Sequence, residues 1–213
     1  MEPNFWHSKW AKGEIGFHEG TPNTLLIEHF AALSLPKGSR VFVPLCGKTR
    51  DIAWLLANGY QVVGVELSRL AIDELFDELG IAPTVAPIDK LARYQGKSID
   101  IYVGDIFDLT RDMLGSVDAI YDRAALVALP EELRSRYAAH LITVTGAAPQ
   151  LLISFDYDQQ LMAGPPFAVS KEAVHRYYAS QYQITPLLTR DVTGGLKGKV
   201  AATETIWLLQ AVG

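Results

Sequence analysis

The clearest indication of the fold is the segment RVFVPLCGKTRDIAWLLANGYQVVGVELS, residues 40–68. RVFVP (Arg40–Pro44) is a short β-branched and aromatic run, which is typical of a buried strand. TRDIAWLLAN (Thr49–Asn58) carries apolar residues at helical spacing and stops at Gly59, a common helix end. YQVVGVEL (Tyr60–Leu67) predicts a second strand. This order predicts parallel strands with helices on the faces of the sheet.

The rest of the chain alternates strands and helices in the same way. Ser68 is predicted to cap a helix over Arg69–Leu79. Further helices are predicted over residues 22–34, from Pro130 to about Ile142, and from Ser170 to about Ser180. Further strands are predicted over Ile99–Asp105, Val117–Arg123, Gln150–Tyr157, Tyr182–Val192 and Val200–Gln210. The segment Ile81–Ser98 shows no clear period. The whole pattern predicts an α/β fold with a doubly wound, seven-stranded, mostly parallel sheet and a C-terminal antiparallel hairpin.

Length and composition predict one cytoplasmic domain spanning residues 1–213. That length suits one α/β domain and is short for two. The net charge of −5, without a Lys/Arg stripe, argues against a nucleic-acid partner. Cys46 is the only cysteine, so an intrachain disulfide is impossible, and no apolar run approaches the roughly 20 residues of a membrane span. The scattered histidines predict no metal site, and no feature indicates an obligate protein partner.

A nucleoside site is predicted where the first two strands end, because such sheets bind ligands at the carboxyl ends of their strands. Glu66 ends the second strand and lies 19 residues after Gly47 in the turn that follows the first, since 66 − 47 = 19. An acid about 20 residues beyond such a glycine binds a nucleoside ribose in related folds. The alternative is a surface glutamate at a strand end, and the buried strand before Glu66 favours the ribose.

The glycines indicate a cofactor without phosphates. A dinucleotide site needs G-x-G-x-x-G, and only Gly47 is present. A phosphate-binding G-x-x-x-x-G-K-T loop would place its first glycine on Phe42, inside the strand. S-adenosylmethionine needs only one small residue in the turn, which favours it over NAD and ATP.

Other acids and an arginine follow the later strands. Asp105 and Ile106 either bracket an adenine, or Asp105 is the N-cap of a short helix through Leu109; the sequence leaves both open. Arg123 ends the fourth strand and is predicted to face the same cleft as Glu66. The acids of the FDYD run, Asp156 and Asp158, are predicted to order a loop rather than bind a metal.

The first twenty residues are unusually aromatic. Four large rings fall within thirteen residues, at Phe5, Trp6, Trp10 and Phe17. They predict either a helix that plugs the edge of the core or a flap over the active site. Aromatic faces stabilise cations, and the sulfonium of S-adenosylmethionine is a cation.

Five sequence blocks resemble the thiopurine S-methyltransferase family. Its cofactor motif is similar to VPLCGKTRDIAWLLANGYQVVGVELS, and its aromatic flap is similar to FWHSKWAKGEIGFH. The blocks GDIFDL, YDRAALVALP and GPPFAV follow in the family's order, so the resemblance extends to about Tyr178. It implies a Rossmann-like class I methyltransferase that moves a methyl group from S-adenosyl-L-methionine to the sulfur of aromatic or heterocyclic thiols, leaving S-adenosyl-L-homocysteine. Some relatives act instead on halide, thiocyanate, selenium or tellurium species.

The resemblance also implies site residues. It assigns cofactor contacts to Trp10, Leu45, Glu66 and Arg123, with Asp105 and Ile106 at the adenine, and the glycine of the turn adds Gly47 to the predicted cofactor site. It places Phe17 and Arg123 at the acceptor, with residues 1–20 as a flap. Two positions depart from the pattern: some members have serine at Asp105, and some carry an arginine in the tail that reads TRDVTGGLKGKVAA here, Thr189–Ala202. A nicotinamide-dependent oxidoreductase and an idle cofactor-binding module are the alternatives from other classes.

Overall fold

A computed structural model describes residues 3–15 and 18–212. The helices are α1 Pro3–Ala11, α2 Thr24–His29, α3 Arg50–Ala57, α4 Arg69–Leu79, α5 Arg111–Leu114, α6 Glu131–Thr145 and α7 Lys171–Tyr178. The strands are β1 Arg40–Pro44, β2 Gln61–Glu66, β3 Thr84–Ile88, β4 Leu91–Gly96, β5 Ile99–Val103, β6 Ala119–Asp122, β7 Gln150–Asp156, β8 Tyr182–Asp191 and β9 Thr203–Ala211. Short 3₁₀ helices cover Phe30–Leu33, Ile106–Asp108, Leu126–Ala128 and Gln159–Leu161. None of the described helices is long and apolar enough to cross a membrane.

The strands hydrogen-bond in the order β3-β4-β5-β2-β1-β6-β7-β9-β8. The central pairs β5–β2, β2–β1 and β1–β6 are parallel. The pairs β3–β4, β4–β5, β7–β9 and β8–β9 are antiparallel. The predicted α/β sheet with its C-terminal hairpin is therefore confirmed.

The sheet has two strands more than the seven predicted from the sequence. Both come from the segment Ile81–Ser98, where β3 and β4 form a hairpin beside β5. Four of the five β3 residues are exposed, and Pro87 lies within the strand. An edge strand that buries so little shows no apolar alternation, and proline is tolerated there because an edge strand has a free side.

Tertiary contacts divide the chain into two compact units, Met1–Ile120 and Tyr121–Gly213. The prediction of a single domain with residues 1–20 as a flap stays a prediction.

Unit 1 contains the parallel strands β1, β2 and β5 and the helices that connect them. The hydroxyl of Ser68 accepts the N–H of Ala71, and Gly80 ends α4 at φ +66°, so both predicted ends of α4 are confirmed. The side chain of Thr49 accepts the N–H of Asp51 at the start of α3. The helix predicted over residues 22–34 is α2 followed by a 3₁₀ turn, which stops at Ser34 with φ +53°. Fully buried apolar side chains of unit 1 include Phe42, Ile52, Leu55, Val63, Ile72 and Ile101.

Unit 2 contains β7, β9 and β8 with α6 and α7. The indole of Trp207 on β9 donates to the hydroxyl of Ser154 on β7 at 2.9 Å. The glycine-rich connection between β8 and β9 packs as a small cluster of its own, in which Tyr157 contacts Leu196 and Val200. Its Gly195, at φ +77°, allows the chain to turn back, because a Cβ there would lie 2.7 Å from the carbonyl oxygen of Val200.

Candidate functional site

The turn after β1 is tightly folded against the end of β2. Leu45 and Gly47 both have positive φ, at 45° and 50°. The N–H of Cys46 donates to the carbonyl oxygen of Val65 at 3.1 Å, which fixes the turn to the neighbouring strand. A non-glycine residue at positive φ costs energy and occurs mostly where the surroundings hold it in place. Leu45 is such a residue, at the position predicted to contact the cofactor.

Glu66 is the buried anion of this turn. One carboxylate oxygen accepts the N–H of Gly47 and the other accepts the N–H of Ser68, each at 2.8 Å. Burial raises the pKa of Glu66, and the N–H groups of Ser68, Gly47 and Leu67 oppose that rise. The alternative of a surface glutamate is therefore wrong, since only 6% of the residue is exposed. A carboxylate buried to this extent must have its oxygens hydrogen-bonded.

The carboxylate of Glu66 has hydrogen-bonding capacity left for a nucleoside. A carboxylate has about four lone-pair positions, and the N–H groups of Gly47 and Ser68 use two of those on Glu66. The remaining positions suit a pair of ribose hydroxyls. These residues therefore fit S-adenosylmethionine, whose amino-acid part has no phosphate to be held by further glycines.

Trp10 on α1 lies directly against the turn. A Cβ at Gly47 would lie 3.0 Å from Cζ2 of Trp10 and 3.3 Å from its Cη2. Trp10 is buried, and the rings of Phe5 and Trp6 meet edge to face at 5.2 Å. Helix α1 thus packs Trp10 on the predicted cofactor turn. Phe17 lies outside the described residues.

Lys48 ties the turn to α4, which the sequence analysis missed. Its ammonium lies 2.8 Å from the carboxylate of Glu74 and 2.9 Å from that of Glu78. Arg50 pairs with Glu78 at 3.2 Å. Glu74 and Glu78 are four residues apart and therefore lie on one face of α4. This spacing is the sequence feature that could have predicted an ion pair with Lys48.

Cys46 is a packing residue rather than a nucleophile. Burial, and next the charge of Glu66, raises the pKa of the Cys46 thiol well above its usual value. A thiol kept protonated is a poor nucleophile. Its sulfur packs over Gly64, where a Cβ would lie 3.0 Å from Sγ.

Asp105 is the N-cap of a short helix. Its Oδ1 accepts the N–H of Phe107 at 3.0 Å and starts the 3₁₀ helix Ile106–Asp108. The N-cap interpretation is therefore confirmed, while adenine binding by exposed Asp105 and buried Ile106 stays a prediction. Asp158 caps Gln159–Leu161 in the same way, by accepting the N–H of Gln160, which confirms its loop-ordering role. Among residues 3–15 and 18–212, no three His, Cys, Asp or Glu side chains group closely enough to hold a metal ion.

Arg123 is half-buried and directly follows β6, in unit 2. Its neighbour Asp122 is fully buried and bonds to Tyr137 and to the N–H of Leu126. This buried carboxylate carries no role predicted from the sequence. The sequence feature that could have predicted its burial is the position of this acid directly after the apolar run of a buried strand.

Comparison with known proteins gives one family over almost the whole chain. The family model described as Thiopurine S-methyltransferase matches residues 1–210. A protein of Xanthobacter autotrophicus named Thiopurine S-methyltransferase is 54% identical over 211 residues, covering 99% of each chain. One of the same name from Teredinibacter turnerae is 52% identical over 209 residues, covering 98% of this chain and 97% of its own.

Solved structures share the fold at low sequence identity. The 1,6-didemethyltoxoflavin-N1-methyltransferase of Burkholderia thailandensis, solved with bound 1,6-didemethyltoxoflavin and S-adenosylhomocysteine, has a TM-score of 0.66 at 15% identity and covers 98% of this chain and 87% of its own. Magnesium protoporphyrin IX methyltransferase of Synechocystis, solved with S-adenosylhomocysteine, has a TM-score of 0.65 at 13% identity, covering 98% and 99%. The chain has the class I methyltransferase fold.

Proposed function

The chain belongs to the thiopurine S-methyltransferase family, and from that premise we propose that it transfers the methyl group of S-adenosyl-L-methionine to the sulfur of an aromatic or heterocyclic thiol. The observation that carries the proposal is the buried carboxylate of Glu66, bonded to the glycine turn after β1 and to the start of α4. That arrangement suits a nucleoside that lacks phosphates, because its free acceptor positions can take the ribose hydroxyls. S-adenosyl-L-homocysteine is the coproduct.

The cofactor site lies in unit 1. We assign ribose binding to Glu66 and the approach of the amino-acid part to Leu45 and Gly47. Trp10 supplies an aromatic face that excludes water, and such faces favour a cation. Asp105 and Ile106 are assigned to the adenine. When bound, S-adenosyl-L-methionine supplies an electrophilic methyl group on a sulfonium.

The reaction needs an ionised sulfur on the acceptor rather than a strong base on the protein. A nearby guanidinium favours a thiolate over a thiol, because opposite charges stabilise the ionised form. We assign this role to Arg123, and we assign Phe17 to the acceptor as the family resemblance implies. The only cysteine is buried and kept as a thiol, so it does not compete for the methyl group. The chain's remaining task is to hold the reactants in line.

The test is release of S-adenosylhomocysteine in a coupled assay. Purified protein and S-adenosylmethionine are offered an aromatic thiol, a heterocyclic thiol, thiocyanate, iodide and selenite in parallel. We expect turnover with the thiols to exceed that with the inorganic acceptors. Turnover with iodide or thiocyanate alone contradicts the thiol assignment, and tight cofactor binding without any turnover supports an idle binding module.

Arg123→Ala tests the acceptor role within that assay. We expect a loss of about 10- to 100-fold in kcat/KM for the thiol, the effect of removing one charge-assisted hydrogen bond. Calorimetric affinity for S-adenosylmethionine should change much less. The matched control is Arg176→Ala, because that arginine forms an exposed pair with Glu131. Normal turnover by Arg123→Ala contradicts the role.

The partner is a small molecule, and a cytoplasmic location without nucleic-acid or obligate protein partners stays a prediction.

A further inference from the structure

A fully buried carboxylate ends β6 in unit 2. Asp122 has no exposed surface. Its Oδ1 accepts the N–H of Leu126 at 3.1 Å, and its Oδ2 accepts the hydroxyl of Tyr137 on α6 at 2.8 Å. Burying a carboxylate is costly, so a fold that keeps one there gains something from its two bonds.

The bond from Asp122 to Leu126 closes a loop of three residues, Arg123 to Ala125. Ala124 has φ +62°, a left-handed conformation that costs an alanine roughly 1–2 kcal/mol. Ala125 and Leu126 are fully buried, whereas Arg123 and Ala124 are half-buried. The loop therefore presents one long side chain, that of Arg123, on a backbone that is strained and held in place by its neighbours.

The chain beyond the loop is fixed by independent contacts. The carbonyl oxygen of Val127 accepts the N–H of Phe167 at 2.7 Å. The guanidinium of Arg134 on α6 donates from Nε to the carbonyl oxygen of Leu129 at 2.8 Å. Asp122 is thus the side chain that closes the loop carrying Arg123.

We propose that Asp122 and Tyr137 are positioning residues that hold Arg123 in the orientation needed to bind the acceptor. The inference rests on the proposed function, in which Arg123 contacts the thiol. Asp122 is fully buried and acts through the loop alone. Tyr137 acts one step further away, by keeping the Asp122 carboxylate turned toward the loop.

The ionised form of Asp122 is the one that performs this role. An ionised carboxylate accepts from both Leu126 and Tyr137, whereas a protonated one must turn an O–H toward a neighbour and gives up an acceptor position. The titratable groups facing it are the hydroxyls of Tyr137 on α6 and Tyr178 on α7. Burial raises the pKa of Asp122 to about 6, against opposing N–H groups of Leu126 and Ala125 and the Tyr137 hydroxyl. The loop should therefore loosen as the pH falls through about 6.

The experiment compares Tyr137→Phe with Tyr182→Phe. Both changes remove one buried tyrosine hydroxyl, and that of Tyr182 donates to the carbonyl oxygen of Ala148 at 2.9 Å, away from the loop. For Tyr137→Phe we expect the KM for the aromatic thiol to rise about fivefold, the size of one lost hydrogen bond, with calorimetric affinity for S-adenosylmethionine unchanged within about twofold. Tyr182→Phe should lower the free energy of unfolding by a similar amount, but it should leave the KM for the thiol and the affinity for S-adenosylmethionine unchanged.

A second arm uses Asp122→Asn and the pH profile. The acceptor is a nitro-substituted aromatic thiol that stays ionised between pH 5 and pH 8, so the thiol contributes no titration of its own. The wild type should show an acidic limb in kcat/KM near pH 6, and Asp122→Asn should lack it.

The outcomes separate the two proposals. Absence of thiol turnover by the wild type overturns the proposed function, and the positioning role with it. Wild-type turnover with equal KM values for Tyr137→Phe and Tyr182→Phe, and the same acidic limb in Asp122→Asn, overturns the positioning role alone.

Discussion

The carboxylate of Glu66 accepts the backbone N–H of Gly47 at 2.8 Å across a separation of 19 residues. The second oxygen of the same carboxylate accepts the N–H of Ser68 at 2.8 Å. One side chain thus fixes the turn after β1 and the start of α4. The fold and the predicted cofactor site therefore depend on the same group.

This double role predicts a combined defect for Glu66→Ala. Affinity for S-adenosylmethionine should fall by about 1–3 kcal/mol, because ribose hydroxyls lose their acceptor. The free energy of unfolding should fall too, since the N–H groups of Gly47 and Ser68 lose theirs. Titration calorimetry and urea unfolding measure the two effects, with the exposed Glu28→Ala as control. A loss of stability without any loss of affinity identifies Glu66 as purely structural.

The contact between Gly47 and Trp10 predicts a specific effect of Gly47→Ala. Gly47 and Gly80 both have positive φ, so an alanine at either position costs roughly 1 kcal/mol in the backbone. Only at Gly47 does the new methyl group meet another side chain, that of Trp10, while nothing lies within 4 Å at Gly80. Gly47→Ala should therefore lose more stability than Gly80→Ala and also bind S-adenosylmethionine more weakly.

In urea unfolding, Gly47→Ala should cost less stability in a Trp10→Leu background than in the wild type, because the smaller side chain makes room for the methyl group. Equal losses for Gly47→Ala and Gly80→Ala, with the same cost of Gly47→Ala in both backgrounds, contradict a tight contact between turn and ring.

The two roles of Asp105 can be separated by capping variants. Asp105→Ala should lose about 1 kcal/mol of stability with its cap, and Asp105→Ser should keep most of it. Thr110→Ala is the matched control, because its hydroxyl accepts the N–H of Met113 at the start of α5. If Asp105 also binds the adenine, only Asp105→Ala lowers the calorimetric affinity for S-adenosylmethionine. Equal affinities for both alanine variants leave Asp105 as a cap alone.

The buried carboxylate of Asp122 predicts an unusual pH dependence of stability. Burial raises its pKa from 3.8 to about 6 in the folded protein, so the folded state holds the proton more tightly than the unfolded state does. The stability this provides is present below about pH 4 and lost as the pH rises through about 6, amounting to about 3 kcal/mol. Asp122→Asn removes the titration.

Urea unfolding at pH 4 and pH 7 checks the sign. The stability of the wild type relative to Asp122→Asn should fall by about 2 kcal/mol from the lower to the higher pH, because part of the effect is already lost at pH 4. A difference that stays constant between the two pH values contradicts a raised pKa at this site.

The sequence predicted the elements whose signals are local. The bounds of β1 and α4 agree with prediction, because a buried run and a capped, periodic helix are each defined by neighbouring residues. The hairpin β3–β4 was missed, since its exposed edge strand buries too little to show a pattern. Glu66 was found from its spacing to Gly47, whereas Asp122 received no role, because nothing local says that a strand-end acid will be fully buried.

From the sequence alone follow the order of strands and helices outside residues 81–98 and the membership of the family, and the sequence predicts where the cofactor turn lies. Periodicity, caps and motif spacing are properties of short stretches and need no knowledge of packing. Packing in three dimensions is needed to know which distant groups meet: the ring of Trp10 on Gly47, Lys48 between two acids of α4, and Tyr137 on Asp122. Those contacts depend on how helices lie against strands, and burial then sets the charge and the hydrogen bonds of each group.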